Sequence, residues 1–204
     1  MSVQQAKIDY IIKASADLFL EKGIANVTIK DDAQHVGVGE ATLYRYFATK
    51  QNLVVLAAGR MADDIHLAYF NLSQAKSGLD KLLVFYTNFL RIYQQRPEYY
   101  RFIFEFDATM RGHGELEGYE KTLLPYLQDY LDAYYRGRED GSVQEIKDVK
   151  LFYLTTTHAL MGLCKKLTAD QVVLRQDMYG EQEIQTLIRI FVYRLKACAP
   201  TGKN

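Results

Sequence analysis

The segment from Thr28 to Lys50, TIKDDAQHVGVGEATLYRYFATK, constrains the fold more than any other part of the chain. Thr28-x-x-Asp31 fits a capping box, in which a hydroxyl and a carboxylate satisfy backbone N–H groups that a helix start leaves free. Asp31 and Asp32 then lie in the first turn, where the helix dipole favours negative charge. The helix so begun is short, because Gly37 supplies a residue able to take φ > 0 at a break. A second short helix follows from about Glu40 to Phe47. Leu43 and Phe47 are four residues apart, so both can face inward and hold that helix against the first helix of the chain.

The flanks are helical too. Ile8, Ile11, Ile12, Leu18 and Phe19, with Ala14 and Ala16 among them, recur at helical spacing over residues 4–22, and Gly23 suits the residue after a helix end. Thr49 can cap a helix running to about Leu72, with Leu53, Ala57, Met61, Ile65, Ala68 and Leu72 along one stripe. Leu79, Leu82, Leu83, Tyr86, Phe89, Leu90 and Tyr93 mark the next helix, and Pro97 opens another through about Met110. The stretch RGHGE breaks that run. A helix from about Leu116 to Arg136 follows, kinked or divided by Pro125, and GREDGS (137–142) is a turn. Residues 145–166 and 181–197 complete the pattern as two amphipathic helices. Only three prolines occur in 204 residues, and no alternating run is long enough to require a sheet. The expectation is an all-α protein. Residues 1–50 form an amino-terminal three-helix helix-turn-helix domain, and 51–204 form a larger helical domain for ligand binding and dimerisation. The helix from Lys50 would connect the two without a flexible linker.

Several function classes are disfavoured. The amino terminus, MSVQQAKIDYIIKASADLF, has its apolar residues interrupted by Lys13 and Asp17, so it reads as neither a signal peptide nor a membrane span. A cytoplasmic protein with no membrane partner is expected. Cys164 and Cys198 lack the spacing of a paired-cysteine metal site. His35, His66, His113 and His158 are dispersed without an HExxH pattern, and there is no Gly-rich phosphate loop or GxSxG elbow. His113 and Glu115 sit together in a glycine-containing break, where a surface loop is a simpler reading than a metal site. No catalytic residue, metal or cofactor is therefore expected.

A helix in the major groove needs donors that position it on phosphates and side chains that read base edges. Thr42, Tyr44 and Tyr46 supply hydroxyls, Arg45 a guanidinium and Lys50 an ammonium. Lys50 stands in the first turn of its helix, where a cation opposes the dipole and a phosphate would offset the cost. Charge argues the other way. Within residues 1–50, Lys7, Lys13, Lys22, Lys30, Arg45 and Lys50 are balanced by Asp9, Asp17, Glu21, Asp31, Asp32 and Glu40. Non-specific DNA affinity should thus be modest and salt-sensitive.

Over TIKDDAQHVGVGEATLYRYFATKQNLV, and above all ATLYRYFATKQNL, the chain resembles the TetR/AcrR family of transcriptional regulators. The resemblance is specific over about residues 8–54 and architectural beyond. It implies a dimer on double-stranded operator DNA, a homodimer through the two carboxy-terminal helices, and release, with repression as the default, when a small-molecule effector enters the body. It implies that Thr28, Thr42, Tyr44, Tyr46 and Lys50 contact or position phosphates, and that Glu40, Ala41 and Arg45 are the base readers. Lys50→Ala should then weaken binding broadly across DNA sequences. Two positions depart from the family pattern. Asp32 stands where an apolar residue is usual, so it must tilt to solvent or find a donor. Gly39 stands where serine often precedes the recognition helix.

Aromatic residues make up 13% of the chain, most of them from residue 69 onward, which suits a core, a ring-lined pocket or a dimer face. Tyr86, Phe89, Tyr93, Phe102, Phe106, Tyr126 and Tyr130 are the pocket candidates for a hydrophobic or aromatic effector. Arg111, His113 and His158 could orient a polar or anionic group on it. A helical small-molecule carrier or enzyme with a vestigial helix-turn-helix is the alternative. Turnover without DNA association would mark it.

Overall fold

The computed structural model describes residues 2–73, 75–112, 116–169 and 179–197. Ten helices run through them: α1 (Val3–Lys22), α2 (Ile29–Val36), α3 (Glu40–Phe47), α4 (Lys50–Tyr69), α5 (Gly78–Gln95), α6 (Pro97–Thr109), α7 (Glu117–Thr122), α8 (Leu124–Glu139), α9 (Val149–Thr168) and α10 (Gly180–Leu195). The all-α expectation holds. No helix among the described residues is long and apolar enough to cross a membrane. His113, Glu115 and Cys198 lie outside the described residues.

The chain divides into two compact units, one holding the residues up to Ile65 with Pro97–Leu124, the other His66–Arg96 with the residues from Pro125 onward. In the first unit α1 packs on α2 and on α6, and α2 packs on α3. Its core is Ile11, Leu18 and Phe19 of α1, Ala33 and Val36 of α2, Leu43 and Phe47 of α3, Leu53, Val54 and Ala57 of α4, and Phe102 and Phe106 of α6. These are the positions that helical periodicity selects, and Leu43 and Phe47 are buried as their spacing requires.

In the second unit α5 packs on α9 and α10, and α9 on α10. Leu82, Phe85, Tyr86, Tyr130, Leu160, Cys164, Ile184 and Leu195 form its centre. The start of α5 is tied to the end of α8. Asp140 Oδ2 accepts from the Gly78 N–H at 2.8 Å, and Ser142 Oγ accepts from the Leu79 N–H at 3.1 Å. Val143 pairs with Lys196 in a single antiparallel bridge that closes α10.

Several bounds shift from expectation, each for a local reason. The long helix over 116–136 is two helices that meet at Leu123, and Pro125 sits in the first turn of α8, where its missing N–H costs nothing. Helix α8 runs on through Gly137 to Glu139, and the chain turns at Gly141, whose φ is 74°. Helix α9 begins at Val149 because the Asp148 side chain accepts from the Leu151 N–H at 2.9 Å. Helix α4 stops at Tyr69, whose carbonyl accepts from Asn88 Nδ2 at 2.6 Å.

Candidate nucleic-acid interface

The capping box read from Thr28 and Asp31 is formed. Thr28 Oγ1 accepts from the Asp31 N–H at 3.1 Å, and Asp31 Oδ2 accepts from the Thr28 N–H at 2.9 Å. The Thr28 hydroxyl, which also donates to Asp31 Oδ2 at 2.6 Å, and the Thr28 N–H hold the exposed Asp31 carboxyl below its ordinary pKa. Helix α2 ends at Gly37 in the left-handed region, with φ 72° and ψ 35°. Gly39 caps α3 in an extended conformation without a side-chain bond, so serine's absence leaves the α3 start relying on the backbone alone. At the far end Thr49 Oγ1 accepts from the Asn52 N–H at 3.1 Å, so the cap expected for α4 is present.

With Leu43 and Phe47 buried, the opposite side of α3 presents Glu40, Ala41, Tyr44 and Arg45 to solvent, with Thr42 and Tyr46 half-exposed. Arg45 lies back over the Tyr46 ring, its Cζ 4.9 Å from the centroid, and Nη2 donates to the Tyr46 hydroxyl at 3.3 Å. The ring thereby orders a long side chain that would otherwise lose rotamer freedom on binding. Thr28 is exposed at the start of α2. The candidate base readers and most of the positioning hydroxyls thus share one small helix and its flank. Lys50 is placed differently from its neighbours: Nζ donates to the Ile24 carbonyl at 2.5 Å, and burial holds its pKa below the usual lysine range.

Asp32 takes the second of its two courses. It is 1% exposed, on the face of α2 that meets α1, and Ser15 Oγ donates to Oδ2 at 3.0 Å. Oδ1 has no hydrogen-bond partner. Burial raises the carboxyl's pKa, while the Ser15 bond, His35 and Lys50 oppose the rise. A carboxyl raised in the folded state contributes stability that is full below its unfolded pKa and is lost as pH climbs through the folded one. Asp32→Asn, which removes the charge at constant shape, is therefore expected to stabilise the protein at pH 7 by on the order of 1 kcal/mol. Urea unfolding should show the gain shrinking as the pH falls toward about 4. A gain that persists unchanged at low pH would mean the carboxylate is not what costs stability.

The ring-bearing candidates for a ligand lining fall in both units. Phe102 and Phe106 stack on each other at 6.1 Å in the core of the first unit, and Arg111 is exposed there. In the second unit Tyr86, Phe89 and Tyr130 are buried, Tyr93 and Tyr126 are half-buried, and His158 is exposed on α9. The Tyr86 hydroxyl donates to Tyr130 at 3.0 Å and lies 2.8 Å from Thr156 Oγ1. Burial pushes Tyr86 up to about 12, and pushes Tyr130 upward as well. Residues outside the candidate set complete this cluster. Phe85 lies 5.2 Å from Tyr130 and 5.1 Å from Phe70, and Tyr153 lies 5.1 Å from Tyr130. His66 shares a 2.7 Å bond with Asp129 and meets the Tyr126 ring edge-on at 4.8 Å. Helical spacing in the sequence singles out none of Phe70, Phe85, Tyr153 and Asp129, and His66 reads there only as one of four dispersed histidines.

Residues 11–57 match the family model described as bacterial regulatory proteins, tetR family. No curated protein matches the chain. Among solved structures it is similar to a TetR family transcriptional regulator, PfmR, from Thermus thermophilus, at 19% identity over 90% of this chain and 97% of that one, with TM-score 0.61. It is also similar to a putative TetR-family transcriptional regulator from Rhodococcus sp., at 19% identity over 92% and 99%, with TM-score 0.70. The ketosteroid transcriptional regulator KstR2 of Mycobacterium tuberculosis aligns at 16% identity over 97% and 98%, with TM-score 0.62.

Proposed function

We propose that this chain, whose residues 11–57 belong to the tetR family of bacterial regulatory proteins, is a cytoplasmic homodimeric repressor that leaves its operator DNA when a small hydrophobic or aromatic molecule binds. The DNA-binding part of this proposal is supported by the family match over residues 11–57. The observation that carries it is α3, which buries Leu43 and Phe47 and turns Glu40, Ala41, Tyr44 and Arg45 outward together. In this reading Arg45 reaches guanine, Ala41 meets a thymine methyl and Glu40 accepts from cytosine N4. Thr28, Thr42, Tyr44 and Tyr46 position the helix on phosphates. Residues 1–50 serve as the DNA-binding domain and 51–204 as the ligand-binding and dimerisation domain.

Two features support the dimer. On α9, Leu151 and Leu154 are exposed with Ala159 and Gly162, and on α10 Ile190 and Tyr193 are exposed, Tyr193 at 82%. Apolar side chains at helical spacing on neighbouring helices suit a four-helix interface with a second copy. His158 lies on that exposed face of α9, so in the dimer it faces the partner more readily than an effector. Two copies would also read two related half-sites.

Selection of duplexes from genomic fragments, followed by footprinting, tests the regulator. Protection of a two-fold-related sequence is expected. Failure to enrich any duplex would sink the reading, and a monomeric mass at micromolar concentration would sink the dimer. Adding hydrophobic anions, cations and neutral aromatics to the bound complex tests release. Saturable binding of a metal alone would overturn the effector class.

A further inference from the structure

The turn that leads from α1 into α2 is held from two sides. Gly23 takes φ 84°, and both main-chain polar groups of the next residue, Ile24, are engaged by charged side chains. The Ile24 N–H donates to Glu105 Oε2 of α6 at 2.6 Å, and its carbonyl accepts from Lys50 Nζ, at the start of α4, at 2.5 Å. Gly23 is what admits the carboxylate, because a Cβ at that position would lie 2.9 Å from Glu105 Oε1 and 3.0 Å from Oε2. One turn earlier on α6, Arg101 Nη2 donates to the Leu20 carbonyl at 2.8 Å. Helix α6 thus offers a cation to the carbonyl end of α1 and an anion to the N–H group just beyond it. The cation suits the carbonyls that the end of α1 exposes, and hydrogen bonds to charged groups are the stronger kind.

These contacts reach the candidate interface through a short connection. Ile24 and Val27 are each 1% exposed, and the chain enters α2 at Ile29, after the Thr28 cap. Helix α2 in turn packs on α3. A shift of the Ile24 main chain therefore moves the start of α2, and with it the direction in which α3 presents Glu40, Ala41 and Arg45.

We propose that Glu105 is a positioning residue for DNA binding: acting through Ile24, with Lys50 as the opposing grip, it sets the approach of α2 and α3 to the duplex. The proposal rests on the reading of α3 as the DNA-entering helix. It also reassigns Lys50. An ammonium held on the Ile24 carbonyl supports the same turn, and its removal should weaken binding without the change in salt dependence that a lost phosphate contact brings.

The test uses the full chain and a duplex selected from a random library by the unsubstituted protein. Binding of Glu105→Ala, Glu105→Gln and Lys50→Ala is titrated at several salt concentrations, and the Ile24 amide is followed by 1H–15N NMR. Glu105→Ala is expected to weaken binding about tenfold, about what one charge-assisted hydrogen bond carries, with an unchanged salt slope. Its Ile24 amide resonance should move upfield and exchange faster. Glu105→Gln keeps an acceptor oxygen and should recover most of the affinity, and it remains informative if the alanine variant folds poorly. A Glu105→Ala protein that binds the selected duplex as tightly as the unsubstituted one overturns the proposal, as does glutamine performing no better than alanine. A salt slope reduced by about one for Lys50→Ala would return that residue to the phosphates. If the unsubstituted protein selects no duplex, the DNA-binding reading fails first and the positioning role falls with it, whatever the Ile24 amide shows.

Discussion

Gly78→Ala is expected to cost at least about 3 kcal/mol and to lower the melting temperature by about 6–12 °C. The added Cβ would lie 2.0 Å from the Gly137 nitrogen, 2.2 Å from the Gly137 Cα and 2.6 Å from the Ala133 carbonyl oxygen. All three are backbone atoms of α8, so no rotamer change relieves the overlap. Separating the two helices is also costly, because the Asp140 and Ser142 bonds to the start of α5 come from the turn that ends α8. Gly137 is constrained in the same way, since a Cβ there would meet Val143 Cγ2 at 2.3 Å. Gly39→Ser is the control. Nothing lies within 4 Å of a Cβ at that position, and a serine cap should change stability by no more than a few tenths of a kcal/mol, in the favourable direction. Urea unfolding of the three proteins measures both. A Gly78→Ala protein with an unchanged midpoint would show that the α5–α8 contact is looser than described.

For Arg45→Ala, a loss of about 1–3 kcal/mol against the selected duplex is expected, roughly five- to 150-fold in Kd. The loss should be concentrated in sequence preference. Substituting each base pair of the site in turn should reveal one position at which the variant no longer discriminates. Arg45→Lys should not rescue it, because an ammonium lacks the planar fork that engages two acceptors on guanine. The stacking of the guanidinium on Tyr46 adds to the effect, since that ring holds Arg45 ready before DNA arrives. A uniform loss on every sequence, with a shallower salt dependence, would make Arg45 a phosphate contact instead.

How far the sequence could be read varied with the range of the interactions involved. Helix α3 matches its expected bounds because caps, a glycine turn and a four-residue apolar spacing are all local signals. Asp32 was legible as a difficulty, but its resolution was not. Ser15, its donor, is 17 positions earlier on another helix, and no spacing rule connects them. Glu105 gave no signal, since its partner is a main-chain N–H 81 positions away. The turn expected at 137–142 starts too early, because Gly137 is still helical and a Cβ there would meet the side chain of Val143. The tyrosines and phenylalanines stayed divided between core and pocket for a different reason. Ring content measures how much area can be buried, and only packing decides whether protein or ligand buries it.

That packing bears on how an effector would arrive. Phe70, Phe85, Tyr130 and Tyr153 meet in a chain of contacts at 5.1–5.2 Å, and three hydroxyls among them and their neighbours are already satisfied by one another. A molecule bound among these rings must replace protein groups that are in contact, so binding draws on a minor, opened population. Its apparent Kd is then the intrinsic value divided by the fraction open. Stopped-flow mixing would register the same fact as an observed rate that levels off with effector concentration at the rate of opening. In such a regulator the core of the second unit sets the limit on how fast the response can be, however concentrated the signal.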